Sequence, residues 1–176
     1  MLYRVYGGFK LERTPNGHIN VGRKEKAAFW RRVEEAKEGL SDGCGIYTFV
    51  MQSGGGLMPW YLGKAELLPF KKEVFAHHKL VHYNDVTIEK RGTPYIYLIP
   101  RVSPKNRLCK PGTNKSIRFL ETLLIGMALQ RNPNLKNVSG TALLKTLQVH
   151  GVINSSMKGH PGAPAAELKA ALGIGD

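Results

Sequence analysis

The stretch GIYTFVMQSGGGLMPWYLGKA, residues 45–65, constrains this chain more than any other. Two apolar runs rich in aromatic and β-branched residues flank a glycine-rich gap, and runs of that kind form strands. Strands are predicted at 44–51 and 60–65, with QSGGGLMP as a flexible hairpin connection. The gap lacks the GxxxxGK[ST] pattern of a phosphate loop. An even hairpin turning near Gly54 sets Tyr47 opposite Tyr61, with both phenols on one face of the sheet. Gly45 and Gly63 would leave space there for another backbone or for a ligand. Aromatic cross-strand pairs also stabilise ordinary sheets, so the pair reads either as structure or as a site.

The remaining elements follow from periodicity and punctuation. Residues 1–22 read as a hairpin turning at TPNGH, and GRKEKAAFWRRVEEAKEGL reads as a helix with Phe29, Val33, Ala36 and Leu40 on one face. PFKKEVFAHHKLVHY is a second helix with a basic flank, TPYIYLIPRV a strand ending near Pro100, and SPKNRLCKPGTNK a basic loop. Ser116 is the expected cap of the helix IRFLETLLIGMALQR, which Pro133 follows. Two short helices are expected at 141–149 and 163–172, around the loop NSSMKGHPG. The class is α/β, more narrowly α+β.

Charge narrows the partners. Among 176 residues, 26 Lys and Arg face 13 Asp and Glu, a net charge of +13. Such a field draws polyanions, nucleic acid first among them. No long basic amphipathic helix favours a membrane surface, and no apolar run approaches the roughly 18 residues of a span. Cys44 and Cys109 form no CxxC pair, which argues against a disulfide framework and against cysteine-held zinc. The first residues lack a signal peptide's apolar stretch, so a reducing, cytoplasmic setting is the expectation.

Two further features carry chemistry. At about 100° per residue, Glu121 falls among Ile117, Leu124, Ile125 and Ala128, inside the apolar stripe of its helix. A carboxylate there needs a partner, either a Lys or Arg ion pair or a metal ion. The helix after the hairpin carries Lys71, Lys72, His77, His78 and Lys79, a run that ordinarily forms a solvated face. His78 and His82 have the i, i+4 spacing of zinc ligands, but no HExxH motif or acidic third ligand accompanies them, so zinc is not expected.

GIY at 45–47, YLG at 61–63 continuing as KA, and FLETLLIGMALQRNPNLKN together resemble the GIY-YIG nuclease superfamily across roughly residues 43–138. The resemblance implies a GIY-YIG-like domain with a central three-stranded antiparallel sheet flanked by helices. It would be preceded by a hairpin-helix extension (1–42) and followed by a helical tail (139–176). It also implies a divalent-metal-dependent endonuclease acting on DNA, or RNA. In that scheme Tyr47 accepts a proton from the attacking water or orients it, and Tyr61 supports it and contacts phosphate. Glu121 holds Mg²⁺ or Mn²⁺, and Asn137, with Asn134 as second match, positions the loop after the helix or bonds the phosphate. The family's helix arginine corresponds to Lys71, with Lys72 or an arginine such as Arg91 as the other groups that could serve in its place, and its histidine corresponds to His78. Lys64, Lys72, Lys79 and Arg91 would add nucleic-acid contacts. Lysine keeps the charge but loses the bidentate fork of arginine. That departure motivates an alternative, a nucleic-acid-binding module that kept the fold and lost the chemistry. A structural protein with incidental charge is the third reading. The oligomeric state is open, a dimer being one way for a small nuclease to cut both strands.

Overall fold

The computed structural model describes residues 1–137, 141–146, 149–150, 152–153 and 162–173. In chain order the elements are β1 (Leu2–Tyr3), β2 (Tyr6–Lys10), α1 (Arg23–Ala36), a 3-10 turn (Leu40–Asp42), β3 (Gly45–Ser53), β4 (Gly56–Ala65), α2 (Phe70–Glu73), α3 (His77–Glu89), β5 (Thr93–Val102), α4 (Lys115–Arg131), α5 (Thr141–Thr146) and α6 (Ala163–Ala171). The result is a mixed α+β fold, an antiparallel sheet flanked by helices.

The three expected strands form the middle of the sheet, with β3 between β4 and β5. Two strands are added. β1 and β2 lie along the outer edge of β5, with Tyr3 opposite Arg101 and Tyr6 opposite Leu98. The hairpin expected over 1–22 is thereby corrected. Its turn exists, with Thr14 N–H donating to His18 O at 2.8 Å and Arg13 bridged to Ile19. Its first arm, however, pairs with β5, which covers an otherwise open sheet edge.

The β3–β4 register differs from the even fold in two places. Ser53 pairs with Gly56 across a two-residue Gly54–Gly55 turn, and Trp60 is an extra residue between the Val50–Pro59 and Phe49–Tyr61 pairs. Tyr47 therefore faces Gly63, and Tyr61 faces Phe49. Two one-residue steps restore the parity of the pleat, so both tyrosines remain on one face.

That face packs on α1, α2 and α3. Phe49 stacks on Tyr83 of α3 at 4.5 Å between centroids, and Phe29 of α1 meets Phe9 and Phe75 edge-on at 6.0 and 4.9 Å. The helix expected over PFKKEVFAHHKLVHY is two helices, broken at Val74–Ala76 and extended to Glu89. Phe75, in the break, turns towards Phe29 and Trp30, a direction one continuous helix carrying Phe70 and Val74 inward could not give.

α4 covers the opposite face, where Ile117 packs with Cys44 and Ile46. Its cap is Asn114 rather than Ser116: Asn114 Oδ1 accepts from the Ser116 N–H at 3.0 Å. The loop after α4 then closes the outer edge of β4. Asn132 Nδ2 donates to Pro59 O at 2.7 Å, and Lys136 N–H donates to Trp60 O at 2.8 Å.

By contacts the chain divides into two compact units, Met1–Asn137 and Val138–Asp176. Within the segment expected as an N-terminal extension, β1 and β2 belong to the sheet. In the second unit, the helix expected over 141–149 is described only to Thr146, and Val149 bridges Ile153. Most of the expected loop NSSMKGHPG lies outside the described residues. No helix among the described residues is long and apolar enough to cross a membrane.

Candidate nucleic-acid site

Tyr47 is fully buried, 0 % exposed, and its ring lies across Gly63 on the neighbouring strand. A Cβ at position 63 would overlap the phenol, so the glycine of YLG makes room for the tyrosine of GIY. Gly45 allows a second close approach, since a Cβ there would strike Ile99 O of β5. Both glycine gaps are therefore filled by the protein itself rather than left for a ligand. The Tyr47 hydroxyl is buried without a hydrogen-bond partner. Burial, with the Tyr83 and Tyr61 phenols and the Glu73 and Glu121 carboxylates around it, pushes its pKa well above the usual phenol value. A phenol so held keeps its own proton and is a poor acceptor of one from water.

Tyr61 stacks on Tyr47 with centroids 6.4 Å apart and planes at 29°. Its hydroxyl accepts a hydrogen bond from Lys79 Nζ at 2.8 Å, and the His82 ring stacks on it at 5.3 Å. Tyr83 meets it edge-on at 5.8 Å. Lys79, His82 and Tyr83 stand at i, i+3 and i+4 on α3, so one side of that helix supplies all three. Burial lowers the His82 pKa, as do Lys79 and His78, against an opposing effect of Asp85. The cation beside the tyrosines is thus Lys79, which sequence reasoning placed only among the outer contacts. The sequence offers His82 only as the i+4 partner of His78, a zinc spacing without a third ligand. The signal for both was the shared helical face with Tyr83 and Val86.

Lys71, the expected substitute for the family arginine, is committed elsewhere, with its ammonium 2.6 Å from Asp42 Oδ1. Lys72, His78 and Arg91 are exposed at the surface. The structure therefore joins Tyr47, Tyr61 and Lys79, adds His82 and Tyr83, and turns Lys71 to a different partner.

Glu121 stands on the other face of the sheet. Lys64 pairs with Ile46 in the β3–β4 ladder, which puts its side chain on the α4 face, opposite to Tyr47. Lys64 Nζ is 2.6 Å from Glu121 Oε2, with the two side chains 37 % and 19 % exposed. In this structure the carboxylate in the apolar stripe has an ammonium as its partner. Among the described residues no three His, Cys, Asp or Glu side chains converge as metal ligands. Glu121 alone, with Lys64 on its oxygen, is a poor fit to Mg²⁺ or Mn²⁺, which take several oxygen ligands.

Asn137 is buried and clasps the backbone of Leu62. Its Oδ1 accepts from Leu62 N–H at 2.9 Å, and its Nδ2 donates to Leu62 O at 2.6 Å. Of the two roles expected for it, the structure displays the positioning of the loop after α4. Asn134 N–H bonds the Asn132 side chain at 3.0 Å, within the same loop.

Comparison with known proteins finds no family model, no curated protein and no solved structure that matches the chain.

Proposed function

We propose that this chain is a nucleic-acid-binding module with a GIY-YIG-like fold and little or no phosphodiester cleavage. One observation carries the loss of chemistry. Tyr47, the residue that would handle the attacking water, is sealed in the core beneath Gly63 and kept protonated by burial. Binding is supported by charge: from Lys90 to Lys136 the chain has ten Lys and Arg and one acid, Glu121. At the tyrosine site, Lys79 and His82 flank Tyr61, giving a cation and an aromatic plane beside a phenol, groups that suit phosphate and base contacts.

A second reading, a divalent-metal-dependent DNA endonuclease, is favoured by the order of GIY, YLG, the Glu121 helix and Asn137. That reading requires Glu121 to release Lys64.

Fluorescence anisotropy with labelled duplex DNA, single-stranded DNA and RNA tests the proposal. Binding at low salt is expected, weakening with a log–log slope of about −0.9 per phosphate contact on duplex. No binding of any probe at low salt would refute it. Cleavage that needs Mg²⁺ or Mn²⁺ and vanishes in Glu121→Gln would replace it with the second reading.

A further inference from the structure

A groove of about 420 Å³ lies between the 3-10 turn and the basic loop after β5, and shares no residue with the tyrosine site. Lys37 lines it from the end of α1, and Arg107 and Lys110 line it from the loop. Its acids are Glu38 and Asp42, and Asp42 is already held by Lys71 at 2.6 Å. Among the described residues Glu38 has no ion pair of that kind, so three cations face one such acid. Leu108 provides an apolar floor, and a Cβ added at Gly39 or Gly43 would come to 3.7 Å from its methyl groups.

The loop that presents two of these cations is held firmly. Ser103 N–H donates to Arg107 O at 2.9 Å, Arg107 N–H donates to Ser103 Oγ at 3.1 Å, and Val102 bridges Leu108. The Cys44 thiol donates to Cys109 O at 3.3 Å and Lys110 O at 3.2 Å, tying the loop to the start of β3. Cations on a fixed backbone lose little freedom when they engage a ligand.

From this we infer that the groove is a second seat for a phosphodiester backbone, distinct from the tyrosine site, so that one nucleic-acid strand is held at two places. The inference rests on the nucleic-acid reading above. Lys37 on one wall with Arg107 and Lys110 on the other suits phosphate contacts, and the apolar floor suits a sugar or base.

The test uses the full chain and a fluorescein-labelled duplex of about 20 base pairs, titrated from about 50 to about 200 mM KCl. The variant Lys37→Gln/Arg107→Gln/Lys110→Gln is compared with Arg4→Gln/Arg23→Gln/Lys24→Gln, which removes the same charge from exposed positions elsewhere. The groove variant should weaken binding about tenfold or more at the lower salt and flatten the salt slope by about 2–3, while the control changes the slope by less than about 1. If wild type binds and the two variants fall equally, or the groove variant binds as wild type does, the groove is not a seat and the binding reading stands. If wild type binds no nucleic acid, both fall together. Circular dichroism checks folding. Should the triple variant misfold, Arg107→Gln alone, at an exposed side chain, must flatten the slope by about 0.9, and an unchanged slope overturns the inference.

Discussion

Replacing Asn137 by alanine separates a structural clasp from a phosphate ligand. The substitution removes two hydrogen bonds, of 2.9 and 2.6 Å, and strips the partners from the N–H and C=O of Leu62, which is 3 % exposed. Each buried group left without a partner costs about 1–3 kcal/mol. Water reaching the edge of β4 would recover part of that, leaving a loss of about 2–4 kcal/mol. For a unit of 137 residues, at about 3–5 °C per kcal/mol, the melting temperature should fall by roughly 6–20 °C. Thermal and urea melts followed by circular dichroism measure this. Nucleic-acid affinity, taken well below the lowered melt, should match wild type. An unchanged melt with markedly weaker binding would refute the clasp and place the amide on the phosphate.

Gly63→Ala drives a Cβ into the Tyr47 phenol and should destabilise by at least about 1–3 kcal/mol, whereas Gly54→Ala, with nothing within 4 Å, serves as a mild reference in the same melts. Lys64 and Glu121 are partly solvated, so a double-mutant cycle of Lys64→Met and Glu121→Gln should give a coupling of about 0.5–1 kcal/mol, and zero coupling would mean that the ion pair contributes nothing. His82 has a depressed pKa in the folded protein, so the unfolded chain binds its proton more readily and stability rises with pH. Its share is complete above about pH 6.5 and is lost as pH falls through the depressed folded value, so His82→Phe should flatten that part of the urea-melt pH profile.

What the sequence made legible was local. The paired apolar runs marked β3 and β4, the alternating TPYIYLIPRV marked β5, and helical spacing placed Glu121 among Ile117, Leu124 and Ile125. What it hid depended on partners distant in the chain. Nothing near Tyr47 signals that Trp60 adds a residue to the opposite strand, yet that bulge, together with the Gly54–Gly55 turn, decides that Tyr47 meets Gly63. Residues 6–10 carry no mark of their preference for β5 over the arm beyond TPNGH. Lys71 and Lys79 both belong to a basic run, and only the break at Val74–Ala76 turns one to Asp42 and the other to Tyr61. Glu121 was open between a cation and a metal because Lys64 lies on a separate strand.

A gel-shift of supercoiled plasmid with Mg²⁺, run alongside Mn²⁺ and metal-free lanes, tests the central claim most directly, because retardation and nicking appear in the same lane. The account predicts retarded plasmid that returns to the supercoiled position after deproteinisation in every lane, with retardation fading as salt rises. Nicked or linear product accumulating only with metal, and absent with Glu121→Gln, would contradict the lost chemistry, and plasmid that is never retarded would contradict binding itself.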